Sequence, residues 1–164
     1  MYDVALLIER QLTDLDADQV VSLHEGLDES VTYHLLLPPD TSASMLASSM
    51  SALGAGQIMT ISDADVIAEV QDELSSAGRA ELEASAALLT QRGQAVTATL
   101  TEDDPIDALG ELVSETKAAE AIILTDPHVV REFLHLDWTS RAKRRLDVPT
   151  LHLLEHVPFS GQAP

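Results

Sequence analysis

Ala121-Ile-Ile-Leu-Thr125, cut off by Asp126-Pro127, and Val148-Pro-Thr-Leu-His-Leu-Leu154 are the two stretches whose reading decides the fold. Each is a short apolar run bounded by strand breakers, the pattern of a strand buried on both faces. A helical stretch over roughly Asp137 to Leu146 separates them, so they pair in parallel through a crossover. Moving toward the N-terminus, Asp104-Pro105 caps and starts a helix whose apolar face is Ile106, Leu109, Leu112 and Val113. Before it lies Ala95-Val-Thr-Ala-Thr-Leu100, a β-branched alternating strand.

A long helical pattern runs from Asp63 to Arg92, with Val66, Ile67, Val70, Leu74, Leu82, Ala86 and Leu89 on one recurring face. Ser75-Ser-Ala-Gly78 is expected to weaken or bend it, and Gly93 to stop it. Residues 40–62, rich in Ser, Ala, Gly and Met, read as a long loop with a short helix at Ser44–Leu53. Val31-Thr-Tyr-His-Leu-Leu-Leu37 is a strand halted by Pro38-Pro39. Asp16 to Leu27 reads as a helix carrying Ala17, Val20, Val21, Leu23 and Leu27, and Val4-Ala-Leu-Leu-Ile8 as the first strand. Strand and helix alternate throughout. The expected fold class is α/β, an open five-stranded parallel sheet with helices on both faces. One domain over 1–156 and a frayed tail over 157–164 follow from the same pattern.

Composition narrows the function. The formal charge of −19 opposes binding to nucleic acid or to anionic lipid. Five of the nine basic residues lie in 131–164, with Arg141, Lys143, Arg144 and Arg145 in one cluster. Five Phe, Trp and Tyr residues offer no stacking platform. The absence of cysteine excludes disulfides and thiolate chemistry. No basic-then-apolar leader opens the chain and no stretch reads as a membrane span, so a cytoplasmic location is expected. Neither a Gly-x-Ser-x-Gly elbow nor a Walker sequence is present, and the chain reads as non-catalytic.

The order of elements, together with three local patterns, resembles the universal stress proteins over Val4 to Leu154. A variable loop precedes a long second helix. Asp104-Pro105-Ile106-Asp107-Ala108-Leu109 is similar to the family's opening of its third helix. Ala119-Glu-Ala-Ile-Ile-Leu124 and Arg145-Leu-Asp-Val-Pro-Thr-Leu-His-Leu-Leu154 resemble the family's last two strands. The resemblance implies strand order 3-2-1-4-5, with a ligand crevice between strands 1 and 4 where the order reverses. It also implies a homodimer through the fifth strand, Thr150, Leu151, His152, Leu153 and Leu154.

The family's ATP-binding members carry G-x2-G-x9-G-(S/T) after the fourth strand, where glycines let main-chain N–H groups approach phosphate. The matching stretch, Thr125 to Ser140, has no glycine. Pro127 removes a donor there, and Asp126 and Asp137 add negative charge. Each like-charge contact at about 4 Å costs on the order of 4 kcal/mol at an effective dielectric near 20. His128 and Arg131 offset part of that. Glu9 stands where the family places an Asp that contacts nucleotide, and Arg10-Gln11 replaces its Gly-Ser.

The expectation is therefore a stress-response or regulatory interaction domain that does not hold ATP in the family's way and needs no cofactor. The alternative is a divergent pocket for an adenine nucleotide (AMP or ATP) or a small phosphorylated metabolite, using Glu9, Thr125, His128, Arg131 and Ser140. His152 and His156, four apart but on and beyond a strand, do not converge as metal ligands. His34 reads as a partly buried histidine bonded to a neighbour. Asp63 and Asp65 read as helix-start residues. Glu102, Asp103 and Asp104 read as a charged turn. The cationic cluster at 141–145 complements a helix C-terminus, and Trp138 either anchors the last helix or fills the crevice.

Overall fold

The computed structural model describes residues 1–38, 62–125 and 141–154, with side chains in the long helix from residue 76 onward. The elements are β1 (Tyr2–Ile8), α1 (Asp14–Ser22), β2 (Val31–Leu37), α2 (Ser62–Gln91), β3 (Ala95–Leu100), α3 (Pro105–Thr116), β4 (Glu120–Thr125) and β5 (Thr150–Leu154). All strands are parallel, in the order β3-β2-β1-β4-β5. This is the order implied by the resemblance. It reverses between β1 and β4, so the chain crosses from one half of the sheet to the other there.

The alternation of strand side chains builds two cores. Val4, Leu6 and Ile8 join Tyr33, Leu35, Ile122 and Leu124 on the face covered by α1 and α2. Ala5, Leu7, Ala121 and Ile123 point the other way, under Ile106, Leu109 and Val113 of α3 and under Ala142 and Leu146. Burial on both sides explains why β1 and β4 read as unbroken apolar runs.

The helix boundaries have local causes. α1 starts two residues before the expected Asp16, because Thr13 is its cap: the Thr13 Oγ1 accepts the Asp16 N–H, and the Asp16 carboxylate accepts the Thr13 N–H. It ends at Ser22 rather than at Leu27. Leu23 and Leu27 are exposed, and Gly26 turns the chain at φ 100°. α2 continues through Ser75-Ser-Ala-Gly78 without a break. Gly78 fits there because a Cβ would lie 3.2 Å from Leu100 Cδ1, so its absence lets the helix settle onto β3. Gly93 stops α2 at φ 79°, as expected.

Asp104 caps α3 through the N–H groups of Ile106 and Asp107 (3.0 and 3.1 Å). Residues 141–145 are helical and lie along α3. Arg141 Nη2 is 3.0 Å from Asp104 Oδ1. Arg145 Nη1 is 2.9 Å from Asp107 Oδ1, close enough for an ion pair though not aligned as a hydrogen bond. Two members of the cationic cluster thus tie one helix to another. The expected short helix at 44–53, the start of the last helix at 137, Trp138, His156 and the tail lie outside the described residues.

Candidate functional site: the mouth of the crevice between β1 and β4

Ile8 stands opposite Leu124 in the β1–β4 ladder. Glu9 and Thr125 therefore come next at the carboxyl ends of adjacent strands, where an open α/β sheet receives its ligands. Of the five candidate binding residues, these two are brought to the same edge. His128, Arg131 and Ser140 lie outside the described residues.

Thr125 is buried, and its hydroxyl is 2.8 Å from His152 Nε2. The two side chains lie on one face of β4 and β5, because His152 pairs with Ile123 and Thr125 with Leu154. Thr125 is thus engaged on the β5 side, away from β1. The same contact ties His152 of β5 to the end of β4. Among the described residues no group of acidic, histidine or cysteine side chains has metal-binding geometry.

On the β1 side, the mouth is formed by the turn into α1. Leu12 is buried, and its N–H donates to Ser85 Oγ (2.9 Å), which in turn donates to the Glu81 carbonyl (2.8 Å). A serine with no exposure, about two turns before the end of α2, thus holds the β1–α1 turn in place. The following helix end carries Asp14 and Asp16 in its first turn. The Asp16 amide is served by Thr13 Oγ1 and the Thr13 amide by the Asp16 carboxylate, and the acidic side chains oppose an incoming anion. Arg92, at the far end of α2, bonds Asp18 (2.6 Å) and Asp14 (3.0 Å) and so binds α1 to α2. Those bonds, Asp18 first, hold the guanidinium pKa above its ordinary value.

A second polar cluster sits at the opposite, amino-terminal edge of the sheet. His24 Nδ1 lies 2.8 Å from Tyr33 Oη and 3.1 Å from the Val20 carbonyl, and its Nε2 contacts the Glu120 carboxylate. Burial pushes the Tyr33 phenol well up, and the nearby Glu120 charge adds to this. On the other face, His34 bridges Asp3 (2.9 Å) and Thr97 (2.7 Å), which fits its expected role as a buried, bonded histidine. The first cluster joins α1, β2 and β4; the second joins β1, β2 and β3. Sequence reading missed the His24–Tyr33–Glu120 set. Its one visible signal was Glu120, a carboxylate at the head of an otherwise apolar strand.

No family model matches the chain, and no curated protein matches it. Solved structures do. A hypothetical protein whose biochemical function was assigned from its structure aligns over 94% of this chain and 97% of its own, with TM-score 0.62 and 12% identity. The universal stress protein from Archaeoglobus fulgidus in complex with dAMP aligns over 93% and 97%, with TM-score 0.55 and 10% identity. A universal stress protein family protein from Arabidopsis thaliana with AMP bound aligns over 96% and 94%, with TM-score 0.57 and 10% identity. With near-complete coverage in both directions and the same strand order, this chain has the universal stress protein fold.

Proposed function

We propose that this chain is a regulatory, non-catalytic domain of universal stress protein type whose crevice between β1 and β4 does not cradle a nucleoside triphosphate. One observation carries this reading: the sequence that follows β4 has no glycine, while the helix end beside β1 is capped by its own side chains. The segment from Thr125 to Ser140 has no glycine to bring N–H groups close to phosphate. The first turn of α1 is capped reciprocally by Thr13 and Asp16, which places a carboxylate at the helix end that would meet phosphate. Interaction is then the domain's means of action, and β5 is its self-pairing edge. Leu151 on that strand is exposed, and an uncovered edge strand favours pairing across a two-fold axis.

A second reading is favoured by the monophosphates that two proteins of the same fold hold, dAMP in one and AMP in the other. A monophosphate asks far less of the donor set than a triphosphate, and Glu9 remains at the mouth to meet a ribose. Isothermal titration with ATP–Mg2+ and with AMP, beside mass spectrometry of small molecules co-purified with the protein, separates the two. Saturable binding of AMP alone favours the second reading. Binding of neither favours the first. Saturable binding of ATP removes the first.

A further inference from the structure

Among the described residues, β3 ends the sheet on one side and is hydrogen-bonded to β2 alone. Its residues, Ala95-Val-Thr-Ala-Thr-Leu100, include no charge and no proline. Edge strands are ordinarily guarded by charges, prolines or bulges, because their outward groups accept any extended chain. Ala95, Thr97, Ala98 and Thr99 are exposed. The Thr101 N–H donates to the Leu37 carbonyl (3.0 Å), which sets the parity of the strand. Odd-numbered residues turn their main-chain groups toward β2. Val96, Ala98 and Leu100 turn their N–H and C=O groups outward, in one row with no ladder partner among the described residues.

Beside this row, toward α3, lies a groove of about 290 Å3. Leu36, Leu100 and Leu112 line it together with the carboxylates of Glu102, Glu111 and Glu115. Among the described residues none of these three carboxylates has an ion-pair partner. We propose that the β3 edge and this acidic groove form a docking site for an extended, lysine- or arginine-rich segment of a partner protein, which adds as a sixth strand. Main-chain bonds to Val96, Ala98 and Leu100 hold the segment, and its side chains alternate between the two faces. One set falls on the α3 side, beside Glu102, Glu111 and Glu115. The other falls on the α2 side, beside Val96 and Leu100, which pack against the core there. The preferred segment therefore alternates basic and apolar residues. Charge also selects the occupant: the acidic groove draws in a cationic segment and repels the same acidic groove of a second copy at this edge.

The probe is a fluorescein-labelled heptapeptide alternating Lys and Val, followed by anisotropy with the full chain. The account expects saturable binding that weakens as salt rises. A peptide alternating Glu and Val, and a Lys–Val peptide N-methylated at alternate positions, are each expected to bind about tenfold more weakly or worse. Ala98→Pro removes an outward N–H while sparing the ladder to β2, and is expected to cost about the same factor. Its thermal unfolding confirms that it is folded, and the N-methylated arm needs no variant at all. Glu111→Gln with Glu115→Gln is expected to weaken binding and flatten its salt dependence. Failure of the Lys–Val peptide to bind overturns the proposal. So does equal binding of the N-methylated or acidic peptide. Sedimentation showing self-association that Ala98→Pro abolishes overturns it too, by assigning the edge to a second copy.

Discussion

Replacing Ser85 with alanine tests how the mouth of the crevice is built. Ser85 has no exposure, and its hydroxyl is the acceptor for the buried Leu12 N–H at 2.9 Å. The alanine side chain cannot accept that bond, which joins residues 73 apart in sequence. A buried donor left without a partner costs about 1–3 kcal/mol. For a chain of 164 residues, each kcal/mol lowers the midpoint of thermal unfolding by about 2–4 °C, so a fall of about 4–8 °C is expected for the central value. Differential scanning calorimetry reads it directly. Ser114→Ala is the control, because the Ser114 hydroxyl bonds only the Gly110 carbonyl four residues back on an exposed part of α3. That change is expected to alter stability by less than about 0.5 kcal/mol. Amide exchange supplies a second reading: the Leu12 N–H exchanges faster in Ser85→Ala while the β1 amides stay protected. Equal melting temperatures for the two variants refute the proposed tie between the β1–α1 turn and α2.

Asp104→Ala removes the α3 cap and the partner of Arg141, and is expected to cost about 1–2 kcal/mol near neutral pH by urea unfolding. Burial alone raises the Asp104 carboxyl, but hydrogen bonds from the Asp107 and Ile106 amides and the Arg141 charge outweigh it and leave the pKa below its ordinary value. Its contribution is therefore full above the ordinary carboxylate range and fades as pH falls through the lowered value, so wild type and Asp104→Ala converge in acid. Gly93→Ala is expected to destabilise by roughly 1–2 kcal/mol, since φ 79° is disfavoured for a residue with a Cβ although the space around it is open. Equal stability of Gly93→Ala in urea counts against that turn geometry. Multi-angle light scattering is expected to show a dimer at micromolar concentration, with Leu151→Lys shifting it toward monomer. A monomeric wild type contradicts the assignment of β5 as the pairing edge.

The sheet was legible because its central strands are buried twice over. Val4–Ile8 and Ala121–Leu124 have no polar position to spare, and that leaves an unbroken apolar signature. The start of α1 was less so, since reading acidic residues as the helix start passed over Thr13, whose role depends on reciprocal bonds with Asp16. Its end was missed for a different reason. Leu23 and Leu27 continue the apolar pattern, yet they are exposed. At the crevice, the order of elements placed Glu9 and Thr125 at one edge. The bond from Thr125 to His152 was not readable, because it spans 27 residues and depends on a diagonal across two strands. His24, Tyr33 and Glu120 come together from α1's end, β2 and β4 in the same way, with no spacing rule to announce them.

Titration of the purified chain with ATP–Mg2+ in a calorimeter bears most directly on the central proposal, that a crevice whose flanking segment has no glycine gives a triphosphate nothing to rest on. The expected trace is heat of dilution alone. A saturable isotherm, with ATP lodged at the carboxyl ends of β1 and β4, would contradict it.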